Sequence, residues 1–254
     1  MKVTFLGTGT SAGIPLVGCN CNVCTSTDPR DNRLRCAAFI EINHTKIAID
    51  LGPDFRQQLL REHIQQVDAV LITHPHRDHI GGLDEIRALN FTSQKAIDIY
   101  CDEFSEKGIR ELHPYVFAKS DYPYLPRLHF KRISNAPFWI NDIEILPIEV
   151  MHAQMPVKGF RINNFAYITD CKTIAQSEKS KLQNLDILVL NALRDEEHYS
   201  HLTFAEAIAL AQELQAKQTF FIHMSHQAGT HAARQATLPE NIFLAYDGLS
   251  LAIN

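Results

Sequence analysis

Apolar positions in the 254-residue chain fall into short runs separated by turn residues. KVTFLG, AAFIEI, TKIAID, AVLIT, IDIYC, LHFKRI, IEILPIEV, FAYIT, DILVLN, TFFIHM and IFLAYDGLSLAI are rich in β-branched and aromatic residues, and each reads as a strand. AAFIEI and TKIAID flank the dipeptide Asn43–His44, a hairpin arrangement. A second period appears in TFAEAIALAQELQA, where Phe204, Ala207, Ile208, Ala211 and Leu214 form one helical stripe. Thr203 followed by Glu206 supplies a capping-box start for that helix. Further helices are expected over Pro53–His63, Leu83–Asn90, Glu103 to about Val116, and Thr173–Asn184.

Hairpins come early in the chain and strand–helix alternation later. That order predicts an α+β protein: two mixed β-sheets packed face to face with helices on the outer faces, an αββα four-layer sandwich. No repeat, low-complexity tract or linker interrupts the chain, so residues 1–254 are expected to form a single domain. Residues 104–127 concentrate aromatics (Phe104, Tyr115, Phe117, Tyr122, Tyr124) and bases (Lys107, Arg110, Lys119, Arg127). They read as a helix and loop packed on the core in preference to a lid over substrate.

The composition, 45% hydrophobic and 21% charged, is that of a globular protein with a substantial core. A formal charge of −5 supplies no general attraction to nucleic acid or anionic lipid. The first residues are broken by Gly7, Gly9, Gly13 and Pro15 before a signal-peptide core develops, and no apolar run reaches the roughly 18 residues needed to span a membrane. A cytoplasmic protein without a membrane partner is the expectation. Three of the six cysteines are packed into CNCNVC, which points to metal binding before disulfides.

The segment ITHPHRDHIGG places His74, His76, Asp78 and His79 between a buried-looking strand and a helix. Such a turn aims two pairs of donors at different points, too many for one open zinc site and too few for two ions. Further ligands must come from elsewhere in the chain. This loop resembles the metallo-β-lactamase superfamily, whose HxHxDH pattern it matches without a gap. The resemblance implies three later ligands in order: His152 at the end of IEILPIEVM, a bridging Asp170 after FAYIT, and His223 in TFFIHM. One ion would take His74, His76, His152 and Asp170, and the other Asp78, His79, Asp170 and His223. FLGTGTSAGIP likewise resembles the family's first strand and glycine turn.

A second donor group is the CxCxxC knuckle of Cys19, Cys21 and Cys24. Zinc favours four ligands, and HMSHQ offers His226 beside the already assigned His223. At this point the chain resembles PhnP-type cyclic phosphodiesterases, a branch related to tRNase Z, which combine a dinuclear site with a structural zinc. The likeness extends through AYDGLSLAI. Cys36, Cys101 and Cys171 lack ligand spacing and are expected to be buried thiols.

The resemblance implies a hydrolase, since diiron redox members of the superfamily carry glutamate where this chain has His76. Two divalent ions, zinc or manganese with iron or nickel as alternatives, would activate water against a small cyclic phosphodiester such as a ribose 1,2-cyclic phosphate. Asp78 would serve the catalytic centre as ligand, and His201 would assist the leaving group, with His198 its rival. Activity is expected to fall in mild acid as the histidine ligands protonate. The likeness also implies a homodimer. Rival readings are a tRNase Z-like RNA-processing endonuclease, a lactone or thioester hydrolase on the same metals, and a zinc-stabilised binding module without catalysis. The acidic charge and missing basic arm make nucleic acid an unfavoured partner. Arg30, Arg33 and Arg35 read as a solvated basic stretch before a phosphate contact.

Overall fold

The computed structural model describes residues 1–253. β1 (Lys2–Gly7) is followed by the hairpin of β2 (Ala37–Ile42) and β3 (Thr45–Ile49). Asn43 turns that hairpin in the left-handed region, at φ 52°, where asparagine is tolerated. The chain continues through α1 (Phe55–Arg61), β4 (Ala69–Leu71), α2 (Arg77–Ile80), α3 (Ile86–Ser93), β5 (Ile97–Cys101), α4 (Glu103–Leu112), α5 (Pro114–Phe117) and β6 (Leu128–Arg132). Five strands then follow: β7 (Phe138–Ile140), β8 (Ile143–His152), β9 (Met155–Ile162), β10 (Phe165–Tyr167) and β11 (Thr173–Ile174). The remaining elements are α6 (Gln176–Lys179), β12 (Ile187–Asn191), α7 (Phe204–Leu214), β13 (Gln218–Ile222), α8 (His231–Gln235), β14 (Ile242–Leu244) and β15 (Ser250–Ala252).

Among the described residues the strands form two sheets. One has the order β15-β1-β2-β3-β4-β5-β6, antiparallel up to β3 and parallel from β3 to β6. The other runs β11-β8-β9-β10-β12-β13-β14, antiparallel up to β10 and parallel beyond it, with β7 pairing to β8. Both sheets are therefore mixed, as expected.

The layers follow from side-chain alternation. Val3, Phe5, Ile40, Ile47 and Ile49 of one sheet meet Phe160, Phe165, Val189, Phe220 and Ile222 of the other in a central core. The opposite face of the first sheet buries Leu6, Phe39 and Val70 against Phe55 and Leu59 of α1, Leu89 of α3 and Ile109 of α4. Beyond the second sheet, Val150, Leu188 and Phe221 pack on Phe204, Ala207 and Leu214 of α7. Strands apolar on both faces are what a sheet covered on both sides requires. The result is the four-layer αββα sandwich.

Some boundaries differ from expectation. The capping box of α7 forms as expected: Thr203 Oγ1 accepts from Glu206 N, and Glu206 accepts from Thr203 N. Thr173 and Ile174, expected to begin a helix, instead pair with Met151 and Val150 of β8. The expected helix from Glu103 is split at His113, because Pro114 disfavours helical backbone at the residue before it. Its first half packs on the metal-motif loop: a methyl group on Gly108 would lie 2.4 Å from Pro75 Cβ, and His113 Nε2 lies 2.9 Å from the Ile80 carbonyl. Phe104, Tyr115, Tyr122 and Tyr124 remain about half exposed.

Candidate metal centre

The motif loop follows β4, with His76 capping α2 and Asp78 and His79 in its first turn. It is fixed to the end of β3 by hydrogen bonds from Leu51 N to the His79 carbonyl and from Gly82 N to the Leu51 carbonyl, each 2.8 Å. Glycine at position 52 is required by the same packing, since a β-carbon there would lie 2.0 Å from the Asp78 carbonyl oxygen.

His152 terminates β8, Asp170 follows β10, and His223 directly follows β13. These strand ends converge on the motif loop. Asp170 Oδ1 lies 3.9 Å from His74 Nε2, 3.3 Å from His223 Nε2 and 4.0 Å from His152 Nδ1, while Oδ2 lies 3.3 Å from His79 Nε2. Asp78 Oδ2 is 3.2 Å from His79 Nε2 and 3.7 Å from His223 Nε2. His76 joins His74 and Asp170 in one group of donors, and Asp78, His79 and His223 form another. All seven side chains proposed from the sequence are thus brought together around one carboxylate.

Two residues of this set hold strained backbone. Asp170 has φ 52° and His223 φ 57°, a region that costs a residue with a β-carbon about 1 kcal/mol or more. The strand ends curl there to aim both side chains inward.

Charge inside the cluster is set by burial and mutual attraction. Burial alone would raise Asp170, yet His223, His79 and His74 hold its carboxyl well below the usual range. Burial alone would lower His79, but Asp78, Asp50 and Asp170 together raise it well above the ordinary imidazole value. His74 has no such surplus of carboxylates and is pushed well down by burial and by His79.

Divalent ions fit this arrangement. His74 Nε2, His79 Nε2 and both ring nitrogens of His223 are buried without a hydrogen-bond partner, a state that is costly unless something else binds them. Imidazole and carboxylate donors suit zinc, manganese and iron alike.

Asp50 was not singled out in the sequence. It ends the apolar run TKIAID, and that strand-end position was its only signal. Its Oδ2 lies 2.7 Å from His79 Nδ1 and accepts from Thr73 Oγ1 at 2.8 Å, while Oδ1 accepts from Thr73 N. Thr73 Oγ1 is in turn 2.9 Å from His74 Nδ1. Asp50 and Thr73 therefore fix which nitrogen each histidine turns toward the centre. Asp50→Asn is expected to weaken metal affinity by roughly 10–100-fold, the usual effect of removing such a supporting partner; chelator competition would measure it, and an unchanged affinity would count against this role.

His201 lies in the β12–α7 connection, with Nδ1 3.7 Å from Asp170 Oδ1 and its ring 4.5 Å from that of His152. His152, Asp170 and His201 form a third donor group. His198 sits one ring further out, 5.0 Å from His201.

The knuckle cysteines form a separate group with His226, from opposite ends of the chain. His226 Nδ1 lies 3.3 Å from Cys19 Sγ and 3.4 Å from Cys21 Sγ. The Cys24 backbone N–H and His226 bring the Cys21 thiol down to about 6, while burial pushes Cys24 up to about 11. Three sulfurs and one imidazole match a structural zinc set, which would hold all the thiols deprotonated. Cys36, Cys101 and Cys171 are buried.

Of the three arginines only Arg30 is exposed, and the reading as a solvated stretch fails for Arg33 and Arg35. Arg33 is buried, donating to Thr8 Oγ1 and the Ala245 carbonyl and lying 3.1 Å from His231 Nδ1. Arg35 pairs with Asp54, and Arg30 with Asp28. The partners of Arg33 and Arg35 lie far along the chain, where their sequence neighbours could not reveal them, whereas Arg30 is exposed and pairs with a residue two positions away.

The αββα sandwich with donors gathered at its strand ends defines a metallo-β-lactamase-type hydrolase fold, and residues 45–224 match the β-lactamase superfamily domain. A diphosphatase from the PhnP family, known from its crystal structure, is 36% identical over 100% of this chain and 98% of its own, with a TM-score of 0.93. The chain accordingly belongs to the PhnP family of the metallo-β-lactamase superfamily. The human short-form tRNase Z shares the fold at 19% identity, with full coverage of both chains and a TM-score of 0.72. A Porphyromonas gingivalis protein named octanoyltransferase is 39% identical over the whole of this chain, which spans 52% of that protein's length. Among the described residues, no helix is long and apolar enough to cross a membrane.

Proposed function

We propose that this protein is a dinuclear-metal phosphodiesterase that hydrolyses a phosphorus–oxygen bond in a small substrate, with a ribose 1,2-cyclic phosphate as the leading example. The observation that carries this reading is the single buried carboxylate of Asp170, met by His74, His79 and His223 through nitrogens that otherwise have no partner. The diphosphatase activity named for the 36%-identical relative supports phosphorus as the reacting atom. A cytoplasmic setting, which keeps cysteines reduced, suits the Cys19, Cys21, Cys24 and His226 zinc set.

His74, His76, His152 and Asp170 would hold one ion, and Asp78, His79, Asp170 and His223 the other. Two such ions, when bound, lower the pKa of water and offset charge on the attacking and leaving oxygens. The protein's own groups supply the rest. Asp50 and Thr73 orient His79 and His74, so that little reorganisation is needed during reaction. His201 Nδ1 faces Asp170 at 3.7 Å without a hydrogen bond, so the neutral ring can carry its single proton on Nε2, the edge left for the departing oxygen. Burial, then His223, pushes His201 down to about 2, so the ring stays neutral across the physiological range. A neutral imidazole N–H still stabilises a developing oxyanion by hydrogen bonding, and His201 has that role here.

The test is a substrate panel: bis(p-nitrophenyl) phosphate, a ribose cyclic phosphate, a 2′,3′-cyclic nucleotide, a diphosphate diester, a lactone, an octanoyl thioester and a precursor tRNA. Phosphorus–oxygen cleavage of the small substrates is expected; turnover of the lactone, the thioester or the tRNA alone would overturn the reading. His201→Ala is expected to keep both catalytic ions while the rate falls by about 10²-fold or more. Loss of an ion in that variant would make His201 a ligand instead.

A further inference from the structure

From the metal cluster to solvent runs a ladder of four aromatic rings. His223 and His201 lie 4.7 Å apart at 24°, His201 and His198 5.0 Å apart at 39°, and His198 and Tyr199 5.1 Å apart at 33°. Exposure rises along it, from 2% at His223 through 8% at His201 to 77% at Tyr199. A single exposed tyrosine has no meaning by itself. This one ends a series of flat surfaces that begins at a proposed metal ligand and passes through the residue placed beside the leaving group.

The loop carrying these rings is held at both ends. Leu193 N donates to the Leu202 carbonyl, Leu202 N to the carbonyl of Cys171 beside Asp170, and Ser225 N to the Leu193 carbonyl. Within it, Ser200 N lies 3.4 Å and Ser200 Oγ 3.3 Å from His198 Nδ1, which fixes the His198 ring between its neighbours. The outer rings are therefore carried at the rim of the site on a tethered frame.

We infer that the substrate carries a flat heterocycle on its departing portion, and that Tyr199, with His198 beside it, is the platform on which this ring stacks. His198 and Tyr199 extend outward from His201, the residue placed beside the departing oxygen. Ring stacking suits a nucleobase because every base presents a π-face. The inference rests on the phosphodiesterase reading for the presence of a phosphate, and within that reading it favours nucleotide-bearing phosphates over the ribose 1,2-cyclic phosphate, which has no base to stack.

Equilibrium binding tests it without turnover. With metal-loaded protein, AMP is expected to bind about tenfold more tightly than ribose 5-phosphate, the scale of one base–aromatic stack. Tyr199→Ala should bring AMP to the ribose 5-phosphate level and leave ribose 5-phosphate unchanged, whereas Tyr199→Phe should retain the preference. Equal binding of the two ligands by the native protein, undetectable binding of both, or a preference that survives Tyr199→Ala would each overturn the inference. Turnover is measured separately, so a protein that prefers AMP through Tyr199 yet cleaves no phosphorus–oxygen bond would refute the phosphodiesterase reading while upholding the platform.

Discussion

Asp170→Asn is expected to lower phosphodiesterase activity by at least about 10³-fold, beyond the 10–100-fold typical of a partner one step removed from the metal. The substitution preserves shape but removes the negative charge that His74, His79 and His223 share. An amide cannot accept from both sides as a carboxylate does, because one of its two ends is a donor. Catalytic metal content should fall with activity, below the two ions per chain expected of the native protein. Elemental analysis beside kinetics decides the matter. Retention of both ions with a native rate would remove Asp170 from the centre and the proposed chemistry with it. Folding should be largely retained, because the central core between the sheets is apolar and does not include Asp170.

Cys21→Ala has the second large expected effect, on stability. The knuckle and His226 are 205 residues apart at Cys21, so an ion joining them closes a very long loop. If it acts as other cross-links do, such closure is worth about 5 kcal/mol. For a chain of this size that corresponds to a fall in melting temperature of roughly 10–20 °C. One zinc per chain should be lost, with the dinuclear ligands unaltered. The coupling to the centre is short: Met224, next to His223, donates to the Thr8 carbonyl and accepts from Thr10 N, so the first turn, His223 and His226 share one frame. Calorimetry with zinc analysis would test this, and an unshifted transition would show that the four donors carry no structural ion.

The motif loop was the most legible part of the site because its donors are local. His74, His76, Asp78 and His79 lie within six residues, a density with no structural use in an ordinary turn. His152, Asp170 and His223 could be chosen from 13 histidines and 29 acidic residues only through a family resemblance that gave their order. Asp50 was missed because its partner His79 lies 29 positions later, and nothing local distinguishes it from other strand-end aspartates. Arg33 was misread for the same reason: two of its partners, Ala245 and His231, come from the far end of the chain. The break at His113 could have been read from Pro114. The strand at Thr173 could not, because a two-residue pairing with β8 overrides local helical preference.

The sequence by itself determined where most strands and helices lie and the chemical character of the donors, since side-chain period and ligand type are properties of neighbouring residues. Only the tertiary structure decided which donors meet. The register that sets Phe165 opposite Ile187, and Ile187 opposite Gln218, carries the ends of β10 and β13 to the same edge. There the backbone of Asp170 and His223 turns left-handed and aims both side chains at the motif loop. Such convergence depends on pairing between segments distant in the chain, and a local pattern does not encode those distances.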